Sequence, residues 1–132
     1  MESDQADFLL QAFVDAVNQA DDFTIAVTLS VPGGVVTGEL ITARRWMNEV
    51  ANSVDTGDSA AAALVADVYR EQATLYGSQR AQQNPLRGDV SYIHLRDARW
   101  VTGNGGVGPG LYWRGLLNEV AGWSLGLLGA SA

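Results

Sequence analysis

The chain has 132 residues, 47 % apolar and 17 % charged, a balance that predicts one ordered, core-forming domain over 1–132 and excludes a disordered chain. The formal net charge is −7, and all eight basic residues are arginines scattered between Arg44 and Arg114, so nucleic acid is not an expected partner. Cysteine is absent, which removes disulfides, thiolate nucleophiles and cysteine-held metal centres.

The opening "MESDQADF" lacks a basic segment followed by an apolar core, and no apolar run approaches the ~20 residues of a membrane helix. A cytoplasmic location is therefore expected, with no lipid membrane as partner. Residues 4–19 predict an amphipathic helix. Its expected apolar stripe is Phe8, Leu9, Ala12, Phe13, Ala16 and Val17, with Asp4, Asp7, Gln11 and Asp15 turned away. A stripe of this kind serves a membrane or partner helix, or a helix docked on its own sheet. A polar face without basic residues favours the docked helix.

A hairpin is expected over 23–42. In "FTIAVTLSV" the residues Phe23, Ile25, Val27, Leu29 and Val31 alternate with small polar ones, "PGG" turns the chain, and "VVTGELIT" returns. Gly38 lies inside the returning strand, the mark of a bulge, sharp curvature or close backbone approach. A helical insert follows over 44–79. Its first part carries Trp46, Met47, Val50 and Val54 at helical spacing. Its second and longer part starts at an N-cap on Asp58 or Ser59, with Leu64, Val65, Val68, Leu75 and Tyr76 as the expected buried stripe.

Three strands are expected over 89–128. In the first, Ile93 and Leu95 face one side and Tyr92 and His94 the other, and the phase slips near Asp97, which predicts a bulge or kink. The glycine-rich "TGNGGVGPG" leads into "LYWRGLLNEVAGWSLG", read as two short strands joined near Asn118–Glu119. Helices and strands cluster rather than alternate. The fold class is therefore α+β, with a mostly antiparallel five-stranded sheet, an N-terminal helix and a helical insert after the second strand.

Catalytic chemistry finds little support. His94 is the single histidine, and as a base it would need a nucleophile and an orienting acid; Asp97, three residues on, points to the opposite face of a regular strand. The plainer reading is a half-buried histidine whose ring nitrogen bonds a neighbour. The run from Gly103 to Gly108 matches the G-x-G-x-x-G dinucleotide pattern, but a strand follows where that motif needs a helix start. Asp21–Asp22 and Asp55/Asp58 are acid pairs beside turns, more simply solvated caps than a cation site. No cofactor, no metal and no enzymatic activity are expected.

Two linked stretches resemble the gas vesicle accessory protein GvpU family. One is "IAVTLSVPGGVVTGELITARRW" from Ile25. The other is "YIHLRDARW" from Tyr92, followed by "YWRGLLNEVAGWSLG" from Tyr112. The resemblance implies a small, non-enzymatic cytoplasmic protein that accompanies the vesicle shell proteins and influences how vesicles associate or cluster. Its implied partners are shell protein or assembled gas vesicles, and a homo-oligomer is expected. The candidate partner-binding residues are Tyr112, Trp113 and Arg114 of "YWRG" with His94 and Arg96 of "YIHLRDARW".

In "YWRG", Trp113 and Gly115 share one strand face, while Tyr112 and Arg114 share the other. Trp113 and Trp123 fit a core as well as a contact surface, and Arg114 fits an internal acid, a partner carboxylate or an aromatic ring. The element order also resembles Sm-like small barrels, so the sheet is expected to curl and to close into such a barrel in the alternative reading. That alternative is an oligomeric RNA-binding module, and a small enzyme using His94 is a third.

Overall fold

A computed structural model describes residues 8–19, 22–79, 92–104 and 107–127. The elements are α1 (Phe8–Val17), β1 (Ile25–Val31), β2 (Gly34–Leu40), α2 (Ala43–Val54), α3 (Ala60–Gln79), β3 (Tyr92–Val101), β4 (Leu111–Leu116), a 3-10 turn (Leu117–Glu119) and β5 (Gly122–Leu125). The five strands form one antiparallel sheet in the order β4-β3-β2-β1-β5. This is the expected α+β arrangement, with one helix ahead of the hairpin and two after it.

The sheet is not closed into a barrel, which corrects the Sm-like expectation. Strands β4 and β5 are its two edges and do not pair with each other. It is nonetheless strongly curled. Four strand spacings amount to about 19 Å along a flat sheet, nearly the full reach of the short segment from Leu116 to Gly122. That segment is not fully extended, because it contains the 3-10 turn, and it passes through the core with Leu117 and Val120 buried. The two edges must therefore approach one another.

The curl begins where β2 and β3 lose register together. Glu39 opposes Arg96 and Thr37 opposes Arg99, so Gly38 alone faces both Asp97 and Ala98. On the other side of β3, Leu95 opposes Trp113 and Ala98 opposes Leu111, which leaves Arg96 and Asp97 against Tyr112. Asp97 takes up the extra residue in the left-handed region at φ 53°, a conformation that Asp tolerates better than most side chains. Its carboxylate is held by Arg99 Nη2 at 2.9 Å. A Cβ on Gly38 would lie 3.0 Å from the Ala98 Cα and 3.2 Å from the Arg96 carbonyl oxygen, so glycine is needed for the strands to close up.

The main core lies between the concave face of the sheet and α1. It combines Leu10, Val14 and Val17 with Val27, Leu29, Val36, Leu40, Ile93, Leu95, Ala98, Leu117 and Val120. Trp100, Trp113 and Trp123 seal its margin, and Trp123 meets Phe13 edge-on at 5.6 Å. The face that α1 buries differs from the expected stripe. Val17 points inward as expected, but Leu10 and Val14 join it there in place of Phe8, which is 91 % exposed, and Leu9, which is 56 % exposed. The helix is apolar around most of its circumference, so its pattern admitted two faces and packing chose between them.

The same holds more sharply for α3. Ser59 caps it, its Oγ accepting from the Ala62 N–H at 3.2 Å. The helix packs on α2 through Ala66, Ala73 and the half-buried Tyr69, beside Trp46, Met47 and Val50. Of the stripe expected to be buried, Leu64, Val65, Val68 and Leu75 are all exposed, and the Tyr76 side chain lies outside the described residues. Small alanines let the two helix axes approach closely, and that contact outranked the larger aliphatic stripe.

Gly38→Ala is expected to destabilise the protein by about 1–3 kcal/mol, because the new methyl meets β3 backbone rather than a flexible side chain. Gly122→Ala, with nothing within 4 Å of its added Cβ, stays within about 0.5 kcal/mol of wild type. Urea unfolding of both variants measures the difference, and equal midpoints would refute the close approach.

Candidate interaction site on the outer face of the sheet

Alternation along β3 and β4 carries Tyr92, His94 and Arg96, with Tyr112 and Arg114, onto the face of the sheet opposite α1. Cross-strand register sets Arg114 directly against His94. Helix α2 lies over this face. It is started by Thr42, whose Oγ1 accepts from the Arg45 N–H at 3.0 Å. It is docked by Trp46, whose indole N–H donates to the Leu95 carbonyl at 3.0 Å. The buried Trp46 ring then touches His94 (centroids 5.1 Å apart), Tyr112 (6.2 Å) and Tyr69 (6.0 Å).

Glu49, one helical turn after Arg45, is the hub of a charge network. Its Oε2 accepts from Arg45 Nε at 2.9 Å and Arg96 Nη1 at 3.2 Å, and its Oε1 accepts from the Tyr112 hydroxyl at 3.0 Å. Arg96 also grips Glu39 through Nε at 3.0 Å and Nη2 at 2.9 Å, and Arg45 Nη1 reaches Thr24 Oγ1 at 3.1 Å. Burial by itself would lower the Arg96 pKa, but hydrogen bonds and charge from Glu39 and Glu49 outweigh it and raise the pKa above its ordinary value. Partial burial pushes the Tyr112 phenol up, and its hydrogen bond to the Glu49 carboxylate pushes the same way.

His94 sits below this network, 4 % exposed. Its Nε2 accepts from Arg114 Nε at 3.0 Å, an arrangement open only to the neutral ring with its proton on Nδ1. Burial, reinforced by the Arg114 charge, lowers its pKa to about 3. The Arg114 guanidinium in turn stacks on Tyr92, its central carbon 3.7 Å from the ring centroid. A histidine this buried and this weakly basic serves as a hydrogen-bond acceptor that fixes an arginine.

Four of the five candidate residues therefore come together: Tyr112, Arg114, His94 and Arg96. Trp113 does not join them. It faces the core, with its indole lying over Gly115, so that a Cβ there would overlap the ring. Tyr112 and Arg114 form the exposed part of the patch, while His94 and Arg96 hold it in shape. Asp97 pairs with Arg99, and Asp55 is bound by Arg70 at 3.1 Å; Asp21 lies outside the described residues. After the glycine run, of which 105–106 are outside the described residues, a strand follows rather than a helix start. Among the described residues no group of three or more His, Cys, Asp or Glu could hold a metal ion, and no helix is long and apolar enough to cross a membrane.

Sequence reasoning missed Trp46, Glu39 and Glu49 as parts of this site. The pairing of Arg45 with Glu49 at i,i+4 was available as a signal. Trp46 and Glu39 gave none, since only the docking of α2 brings them to β3.

These features define a class: a curled, open-sheet α+β protein whose outer face carries a self-satisfied polar patch with an exposed aromatic and arginine rim. A family model described as "Gas vesicle protein GvpU-like" matches residues 7–128, and the chain belongs to that family of gas vesicle accessory proteins. Comparison with curated proteins found no significant match, and comparison with solved structures found none either.

The histidine makes stability depend on pH. Between pH 6.5 and about 3 the unfolded chain binds a proton at His94 that the folded chain refuses. Its contribution is therefore complete above pH 6.5 and is lost as pH falls, at up to about 1.4 kcal/mol per pH unit. From pH 7 to 5 wild type should lose about 2 kcal/mol more than His94→Gln, whose amide oxygen still accepts from Arg114 but does not titrate. Urea titrations at the two pH values decide it; parallel losses would show that His94 is not held neutral.

Proposed function

We propose that this chain binds gas vesicle shell protein or the assembled vesicle, and thereby influences how vesicles associate or form. The observation that carries the reading is family membership over nearly the whole chain. Geometry supports the mode of action. The polar groups of the outer face are satisfied by one another, and what they present outward is a phenol and a guanidinium on an edge strand, a surface suited to a protein contact. The working place that follows is the cytoplasm, at the vesicle surface, with neither lipid nor nucleic acid as partner. Four arginines support this last point, since Arg45, Arg70, Arg96 and Arg99 are each paired with carboxylates and are poorly disposed to meet phosphates.

Flotation with purified intact vesicles tests the reading. Wild type should rise with the buoyant layer in a saturable manner, and Tyr112→Ala or Arg114→Gln, first shown to be folded, should bind several-fold more weakly. Trp113→Ala is the wrong probe because it opens the core. Wild type remaining in the subnatant at every concentration overturns direct vesicle binding. Undiminished binding by both variants moves the contact off β4.

A further inference from the structure

Helix α3 is built inside out for a helix that only packs on its own protein. Its inward contacts are made by Ala66, Ala73 and Tyr69, while Leu64 is 67 % exposed, Val65 47 %, Val68 58 % and Leu75 40 %. These residues fall on one line. Ala61, Val65, Val68, Gln72 and Leu75 follow one another at intervals of four, three, four and three, with Leu64 flanking, which is the seam spacing of a helix that pairs with a second helix. The seam contains no charged residue, and it runs along a 20-residue helix about 30 Å long.

We propose that α3 pairs antiparallel with α3 of a second copy of this chain, giving a two-fold dimer. The seam is its own complement when reversed. With the axis at the level of residue 70, Val65 meets the partner's Leu75, Val68 meets the partner's Gln72, and Leu64 closes the end beside the partner's Leu75. Large apolar groups thus lie at both ends. The two Gln72 amides lie one on either side of the axis, each against the partner's Val68, polar positions that fix register and orientation at some cost in stability. Antiparallel alignment also sets the positive end of each helix dipole against the negative end of the other.

Charge argues for a second copy over an anionic surface. The flank of the seam carries Asp67 and Glu71, and the neighbouring Arg70 is already paired with Asp55 and Asp67, so acidic headgroups or phosphates would be repelled. Asp67 is partly neutralised by Arg70 at 3.7 Å. Two copies of net charge −7 also repel each other, but the apolar seam opposes that repulsion and salt screens it. A single helix seam is small beside the roughly 800 Å² per partner of a standard interface, so the dimer is weak and depends on concentration. The pairing is independent of the β4 patch: an α3 dimer leaves Tyr112 and Arg114 of each copy to make other contacts, and gives two such patches per assembly.

Sedimentation equilibrium on the full chain, over a wide concentration range and at low and high salt, reads the association. Wild type should pass from monomer to dimer with rising concentration, and more readily at high salt. Val68→Glu, at an exposed position, should keep the wild-type circular dichroism and melting temperature but remain monomeric. Because the chain has no cysteine, Gln72→Cys and Ala61→Cys can be compared with a short bis-maleimide. Gln72→Cys should cross-link between copies, and Ala61→Cys, far from its equivalent in an antiparallel pair, should not. A wild type that stays monomeric throughout overturns the proposal, as does a dimer that survives Val68→Glu or one that salt weakens. Equal cross-linking at both positions overturns the antiparallel arrangement. Vesicle flotation of Val68→Glu reads the β4 contact separately, so failure of one proposal does not pass for failure of the other.

Discussion

The paired slip of register at Gly38 and Asp97 is the constraint on which the rest of the structure depends. Up to Leu95, β3 sends Ile93 and Leu95 into the core. Continued regular alternation would send Asp97 inward next and Ala98 and Trp100 outward. The extra residue reverses the phase, so that Ala98 and Trp100 return to the core and the Asp97 carboxylate stays at the surface with Arg99. It also bends the sheet, because Gly38 lets β2 close on β3 where any side chain would collide with backbone. The curl then brings edges β4 and β5 near enough for the 3-10 turn to cross between them, placing Leu117 in the core.

The bend has a second consequence on the outer face. Arg96 lies immediately before the slip, with its guanidinium between Glu39 of β2 and Glu49 of α2. It thus ties the hairpin, the helical insert and β3 together, and Tyr112 on β4 joins through Glu49. These side chains are one-quarter to two-fifths exposed, so the ion pairs stabilise modestly and act chiefly to fix geometry. The more costly element lies beneath. His94 is kept neutral so that it can accept from Arg114, which spreads that arginine flat on Tyr92. Because His94 stays neutral across the ordinary range of pH, the hydrogen bond that fixes Arg114 persists there.

Much of this was legible in advance. The hairpin, the two helices of the insert, the phase slip at Asp97 and the turn between β4 and β5 all followed from local pattern. So did the opposite facing of Trp113 and Arg114, because strand alternation has a period of two and admits no other choice once the strand is recognised. The motif set "IHLR", "WRG" and "VAGWSLG" pointed to the family whose model matches residues 7–128. The helix faces were not legible. In α1 and α3 apolar residues cover enough of the circumference to offer two stripes, and only shape decided which met the sheet or α2.

The amino-acid sequence by itself therefore determined the element types, their order, the site of the bulge and the residues available to each strand face. These depend on torsional preference and short-range periodicity, which act between residues close in the chain. Tertiary structure decided that the sheet stays open, that alanines rather than leucines join α3 to α2, and that Trp46, Glu39 and Glu49 complete the site around Arg96 and His94. Those outcomes are set by close packing and by the pairing of buried or half-buried charges. Both depend on groups far apart in sequence and become definite only when the chain has closed around them.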